Sequence, residues 1–141
     1  MTKVTLRTFW NGQPWNVNRR VKATVKRARK YGLVPTSTTN GAHSRGSWHY
    51  IVPGRNTAGA AVDLGFEADD LRRLGQAERT ERLSRFQRAE YARARRYGFR
   101  GYLELIGPVN GLVILGGRPA GLAEGTALEQ AHDDHVHVAR P

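Results

Sequence analysis

The stretch 67–97 constrains the fold more than any other part of this chain. Leu71, Leu74, Leu83, Phe86, Ala89, Tyr91 and Ala94 recur along it at helical spacing, with Gly75 as a break and Gly98 as a stop. The pattern predicts a helix over 67–97, interrupted at Gly75. A helix that long must lay its apolar stripe on something broad, and the rest of the chain offers mostly short extended pieces with which to build it. Ala60 to Leu64, Tyr102 to Ile106 and Leu112 to Leu115 read as strands, the last two forming a possible hairpin around Gly107, Pro108, Asn110 and Gly111. Val136 and Val138 alternate with His135 and His137 in a final short strand. A second helix is expected over 16–31, where Val17, Val21, Val25 and Ala28 share a face, Asn16 or Asn18 caps the start and Gly32 ends it. Residues 35–59, rich in Pro, Ser, Thr, Asn and Gly, read as loops around a short strand near Trp48 to Val52, and residues 116–131 read as loop. The order of elements is that of an α+β protein. At 141 residues, 1–141 is expected to form one domain with a core of its own.

Composition removes several classes of function. There is no cysteine, so disulfide scaffolds, cysteine-based zinc fingers and thiol nucleophiles are excluded, and any metal must be held by His, Asp or Glu. No run approaches the roughly 18 apolar residues of a membrane span, and the opening residues lack the basic-then-apolar order of a secretory signal. A soluble protein without membrane insertion is expected. The net charge of +11 is uneven: residues 1–65 hold 11 bases and one acid, residues 66–99 nine and six, and residues 100–141 three and five. Such a surface suits a polyanionic partner, either nucleic acid or an anionic cell-wall polymer, and equally suits a merely solvated basic face.

Chemistry concentrates in the histidines and two acids. In His132-Asp133-Asp134-His135-Val136-His137 an extended chain turns His135 and His137 to one side and Val136 to the other. Asp63 stands in the apolar run Ala60-Ala61-Val62-Asp63-Leu64, where a carboxylate is costly to bury without a positive partner. His49 lies in Ser47-Trp48-His49-Tyr50, read as an aromatic strand able to carry its ring inward. His49, Asp63 and His137 together make two imidazoles and a carboxylate, a set that can hold Zn²⁺ with one position left open. The plainer alternative makes His49 a hydrogen-bonded residue of a half-buried strand, Asp63 a turn cap and the last histidines an exposed tail.

The motifs Ser47-Trp48-His49, Ala58-Gly59-Ala60-Ala61-Val62-Asp63-Leu64 and Asp134-His135-Val136-His137, spanning about residues 35–138, resemble those of the zinc D,D-carboxypeptidase and L-alanyl-D-glutamate endopeptidase superfamily, especially the catalytic domains of phage lysins. The resemblance implies a small antiparallel sheet packed with helices, with His49, Asp63 and His137 as zinc ligands. It makes Asp134 the acid that handles the water proton, His135 a substrate-contacting histidine and His132 an accessory one. His49 and Asp63 are 14 positions apart, farther than the family spacing, so Tyr50 to Thr57 reads as an insertion. The family's Ser-Gly-x-Arg has no counterpart in Pro35 to Asn40; Arg45 or Arg55 is left to supply that charge, and Trp48 and Tyr50 are candidates to line the substrate groove.

The expected activity is zinc-dependent hydrolysis of amide bonds in peptidoglycan stem peptides, as carboxypeptidase or endopeptidase. Anionic wall polymers are possible further partners, nucleic acid is not an obligate one, and the protein is placed in a host cytoplasm before lysis or in a phage particle. Two other classes compete: a basic nucleic-acid-binding protein, which no zinc-finger spacing or helix-turn-helix signature supports, and a catalytically inactive wall-binding module.

Overall fold

The computed structural model describes residues 17–37, 47–49, 54–55, 58–121 and 134–141. Their architecture is α+β, an open six-stranded antiparallel sheet with three α-helices. Helix α1 spans Arg19–Ala28, α2 Ala68–Arg73 and α3 Gln76–Tyr97; strands β1 to β6 span Val34–Ser37, Ala61–Gly65, Glu104–Ile106, Val113–Leu115, Arg118–Ala120 and Val136–Ala139. The order across the sheet is β1-β2-β6-β3-β4-β5, so the last strand is inserted between β2 and β3.

The helices form where their sequences require. Asn18 caps α1 by accepting a hydrogen bond from the Val21 backbone N–H at 2.9 Å, and Val21, Val25 and Ala28 are fully or almost fully buried. A 3₁₀ turn over Arg29–Tyr31 then ends at Gly32, whose φ of 75° is the left-handed conformation that favours glycine. The 67–97 helix is indeed divided at Leu74 and Gly75, and Leu83, Phe86 and Ala94 of α3 are buried. Leu71 departs from the expected apolar stripe: α2 is only one and a half turns long and leaves it half exposed.

Alternation in the strands separates the two faces of the sheet. Val62, Leu64, Leu105, Ile114, Val136 and Val138 join Val21, Val25, Leu83 and Phe86 in one core beneath the helices. Asp63 and His137 are cross-strand partners, as are Glu104 and Ala139, and these four lie on the opposite face. The hairpin of β3 and β4 forms as expected, with Glu104 opposite Leu115 and Leu105 opposite Ile114. Its turn is held to α3 by the buried Gln87, which donates to the carbonyls of Val109 and Leu112 and accepts from the Val109 N–H.

Two strands were expected to be loop. β1 runs through Pro35, and β5 through Pro119; both are edge strands, where a missing N–H need not break a ladder. β5 follows the two-residue turn Gly116-Gly117, whose φ values of 59° and 72° match a type I′ hairpin. Conversely, Trp48 and His49 form a turn where a strand was expected, and the continuation through Tyr50 to Val52 lies outside the described residues.

Candidate metal centre

β2 and β6 bring Asp63 and His137 together across 74 positions of sequence, because the antiparallel register sets them opposite each other in the middle of the sheet. His49 arrives from a turn closed by a hydrogen bond from its own N–H to Ser47 Oγ. That turn is tied to the start of β2 by the Ala60 N–H, which donates to the Trp48 carbonyl at 2.9 Å. The His49 ring is 2 % exposed and lies 5.1 Å from that of His137, centroid to centroid.

The donor atoms gather around one point. Asp63 Oδ1 is 3.0 Å from His137 Nδ1 and 3.3 Å from His49 Nε2, and the three residues offer ligand atoms that all lie within 4.8 Å of one another. Zinc bonds of ~2.0–2.1 Å in a tetrahedron place neighbouring donors roughly 3.3–3.4 Å apart, so these two contacts are close to the edges of a coordination tetrahedron. Two imidazoles and a carboxylate are also the donor chemistry zinc accepts in sites that keep an open position. The residues therefore fit a zinc ion.

The other nitrogen of His137 is held as well. Nε2 lies 2.9 Å from Glu104 Oε1, on the neighbouring strand β3. A neutral imidazole can donate from only one nitrogen, so two carboxylates facing both nitrogens favour the imidazolium. Burial alone would lower the His137 pKa, but the hydrogen bonds and charges of Asp63 and Glu104 overcome it and push the pKa up to about 9. For Asp63, burial acts to raise the pKa, and hydrogen bonds from His137 and His49 prevail, holding the carboxyl far below the usual carboxylate range. With a metal on Nδ1, Glu104 would remain on Nε2–H and fix the ring's orientation and tautomer.

Comparison with models of protein families, with curated proteins and with solved structures gives no match. What the described residues show is a His-Asp-His group in an α+β fold that could hold a metal ion.

A groove of about 620 Å³ opens beside the triad, lined in part by Asp63, Asp134, His135, Thr36, Phe66 and Arg79. His135 Nδ1 contacts Asp134 Oδ1 at 2.7 Å, and its Nε2 lies 3.9 Å from Asp63 Oδ1, so His135 and His137 share a side as their spacing implied. Asp134 is 84 % exposed at its side chain. Trp48 is half buried beside His49, with the Arg55 guanidinium 4.0 Å from its ring centroid while Arg55 Nη2 donates to the Ser47 carbonyl. Arg55 is thus stacked on the turn that presents His49. His132, Arg45 and Tyr50 lie outside the described residues.

Two residues of this region escaped the sequence reading. Glu104 carries the same signal as Asp63, an acid within a short apolar strand. Arg79 carried none, being one arginine among many on α3; the fold sets it in the groove wall, where its Nη1 donates to the carbonyls of Leu74 and Leu71 at 2.6 and 3.3 Å.

Proposed function

We propose that this chain is a zinc-dependent amide hydrolase of the D,D-carboxypeptidase and L-alanyl-D-glutamate endopeptidase type, acting on peptidoglycan stem peptides. The observation that carries the reading is the convergence of His49, Asp63 and His137 beside a groove that Asp134 and His135 also line. The α+β order and antiparallel sheet agree with the architecture such an enzyme would have.

When bound, zinc supplies Lewis-acid polarisation of a carbonyl and a lowered pKa for water. The chain's own residues do the rest. His49, Asp63 and His137 hold the ion, and Glu104 orients the His137 ring through Nε2. Asp134, exposed at the groove and three positions before His137, takes the proton released as water attacks and passes it to the departing amine. His135, held by Asp134 through Nδ1, presents its other nitrogen to the substrate as a hydrogen-bonding group. Arg79 supplies the groove with a fixed cation suited to a peptide carboxylate, the function for which Arg45 and Arg55 were the sequence candidates.

Purified stem peptides incubated with the protein, with cleavage followed by mass spectrometry and zinc by plasma emission, test the reading. Hydrolysis that disappears on chelation and returns with zinc is expected. His49→Ala and Asp63→Ala should lose the metal, whereas Asp134→Ala should keep it and lose at least about 100-fold in turnover. Hydrolysis by metal-free protein would overturn the mechanism. Zinc-bound protein that retains wall fragments without cleaving them would identify a binding module, and tight salt-dependent DNA binding without hydrolysis would favour the nucleic-acid reading.

A further inference from the structure

At the end of β6 beyond His137 lies a second cavity, of about 290 Å³, formed on the helix side of the sheet between α1 and the C-terminal part of α3. Arg20, Arg27, Arg93 and Arg140 line it together with Tyr97 and Tyr102. The zinc reading uses none of these residues.

Among the described residues that line this cavity, the charged side chains are all arginines. Glu90, itself 2 % exposed, is committed to Arg27, whose Nε and Nη2 donate to its two oxygens at 2.9 and 2.8 Å, and the Tyr102 hydroxyl donates to Oε1 at 2.8 Å. Arg140 is 8 % exposed and forms no ion pair with any described residue. Its Nε donates to the Gly101 carbonyl, its Nη1 donates to Thr24 Oγ1 at 3.1 Å, and its guanidinium carbon sits 4.0 Å from the Tyr102 ring centroid. These contacts tie the guanidinium down without neutralising it, and Nη2 has no acceptor among the described residues. The backbone is equally fixed, by the Arg140 N–H donating to the Ala60 carbonyl and the Arg140 carbonyl accepting from Asn18 Nδ2. Burial chiefly depresses the Arg140 pKa, with Tyr102 and the charge of Glu90 opposing the fall and the charges of Arg27 and Arg20 adding to it.

A buried guanidinium without a counter-charge is unfavourable unless an anion completes it. We infer that this cavity binds a phosphate-bearing anion, with Arg140 as its preorganised floor and Arg20 and Arg93 as exposed cations at its mouth. Guanidinium forks converging from α1, α3 and the end of β6 suit the several oxygens of a tetrahedral dianion better than the two of a carboxylate. Tyr97, 68 % exposed with Arg93 5.1 Å from its ring centroid, gives the mouth an apolar surface for the organic part of a phosphate ester.

The test titrates the full chain with inorganic phosphate at constant ionic strength, following arginine Nε–H resonances, in zinc-free and zinc-loaded protein alike. Saturable binding to one site is expected in both states, since the cavity does not depend on the metal. Arg140→Gln removes the floor. Because its buried contacts also support the fold, the decisive variant is Arg20→Gln/Arg93→Gln, at two exposed positions, which should weaken phosphate by at least about tenfold through loss of two charge-assisted contacts. Undiminished affinity in that double variant, or a non-saturating response in the unaltered protein, would overturn the inference. Competition by poly(glycerol phosphate) would assign the site to a phosphodiester of a polymer, and its failure to compete would assign it to free phosphate or a monoester.

Discussion

Zinc binding should be strongly pH-dependent, because the proton on His137 and the metal want the same nitrogen. In the metal-free protein His137 donates to Asp63 from Nδ1 and to Glu104 from Nε2, and its pKa is raised to about 9. Zinc can take Nδ1 only after one proton leaves. At pH 7, well below that pKa, only about one chain in a hundred holds His137 neutral, which weakens the apparent affinity by roughly 100-fold. The zinc association constant should therefore rise about tenfold per pH unit from pH 7 and flatten near pH 9, with about one proton released per ion bound at pH 7. Asp63 contributes nothing to this slope, since its carboxyl is held far below the window. Competition against a chelator of known pH dependence, with calorimetry in buffers of different ionisation enthalpy, measures both quantities. The metal-free protein should move the other way. A His pKa raised from 6.5 to about 9 stabilises the fold fully below about pH 6.5 and ceases to do so as pH rises through 9, a contribution of about 3 kcal/mol. A zinc affinity flat between pH 7 and 9, with no proton release, would refute this account of the site.

Glu104→Gln should lower zinc affinity by about 10–100-fold at pH 9, where proton competition has faded, while leaving the chain folded, because the change removes charge and not shape; chelator competition reads it. Glu90→Ala strips the partner from Arg27 and the acceptor from Tyr102 in a buried setting, and should cost about 3–5 kcal/mol in denaturant unfolding. Gly107→Ala would place a Cβ 2.6 Å from Gln87 Oε1 and 3.1 Å from Val136 Cγ2. Gln87 is pinned by three hydrogen bonds to the hairpin turn and cannot simply swing away, so a loss of about 1–3 kcal/mol is expected in the same assay. Saturating zinc should raise the thermal midpoint of the unaltered protein and leave that of His49→Ala unchanged.

Much of the fold was legible because its signals are local. Helical spacing marked α1 and α3, Asn18 and Gly32 marked the limits of the first, Gly75 marked the break before α3, and the turn at 107–111 marked the hairpin of β3 and β4. Where local signals misled, the surroundings supplied the reason. Pro35 and Pro119 argue against a strand unless that strand lies at an edge, and edge position is a property of the assembled sheet. The aromatic neighbours of His49 favour a strand, yet it occupies a turn anchored to the beginning of β2.

The residue types at the candidate centre were likewise readable in one dimension: an acid in an apolar run and histidines alternating with valines are unusual enough to single out Asp63 and His137. Their meeting was not. It depends on β6 entering the sheet between β2 and β3 in the register that sets Asp63 opposite His137 and brings Glu104 to the second nitrogen of the ring. The arginine cavity is a stronger case, since Arg20, Arg27, Arg93 and Arg140 are unexceptional members of a basic composition until α1, α3 and the end of β6 pack together. Periodicity reports which way a side chain faces within its own element. Which strands become neighbours, and in what register, is decided by burying both faces of the sheet at once, and only that packing turns scattered polar residues into sites.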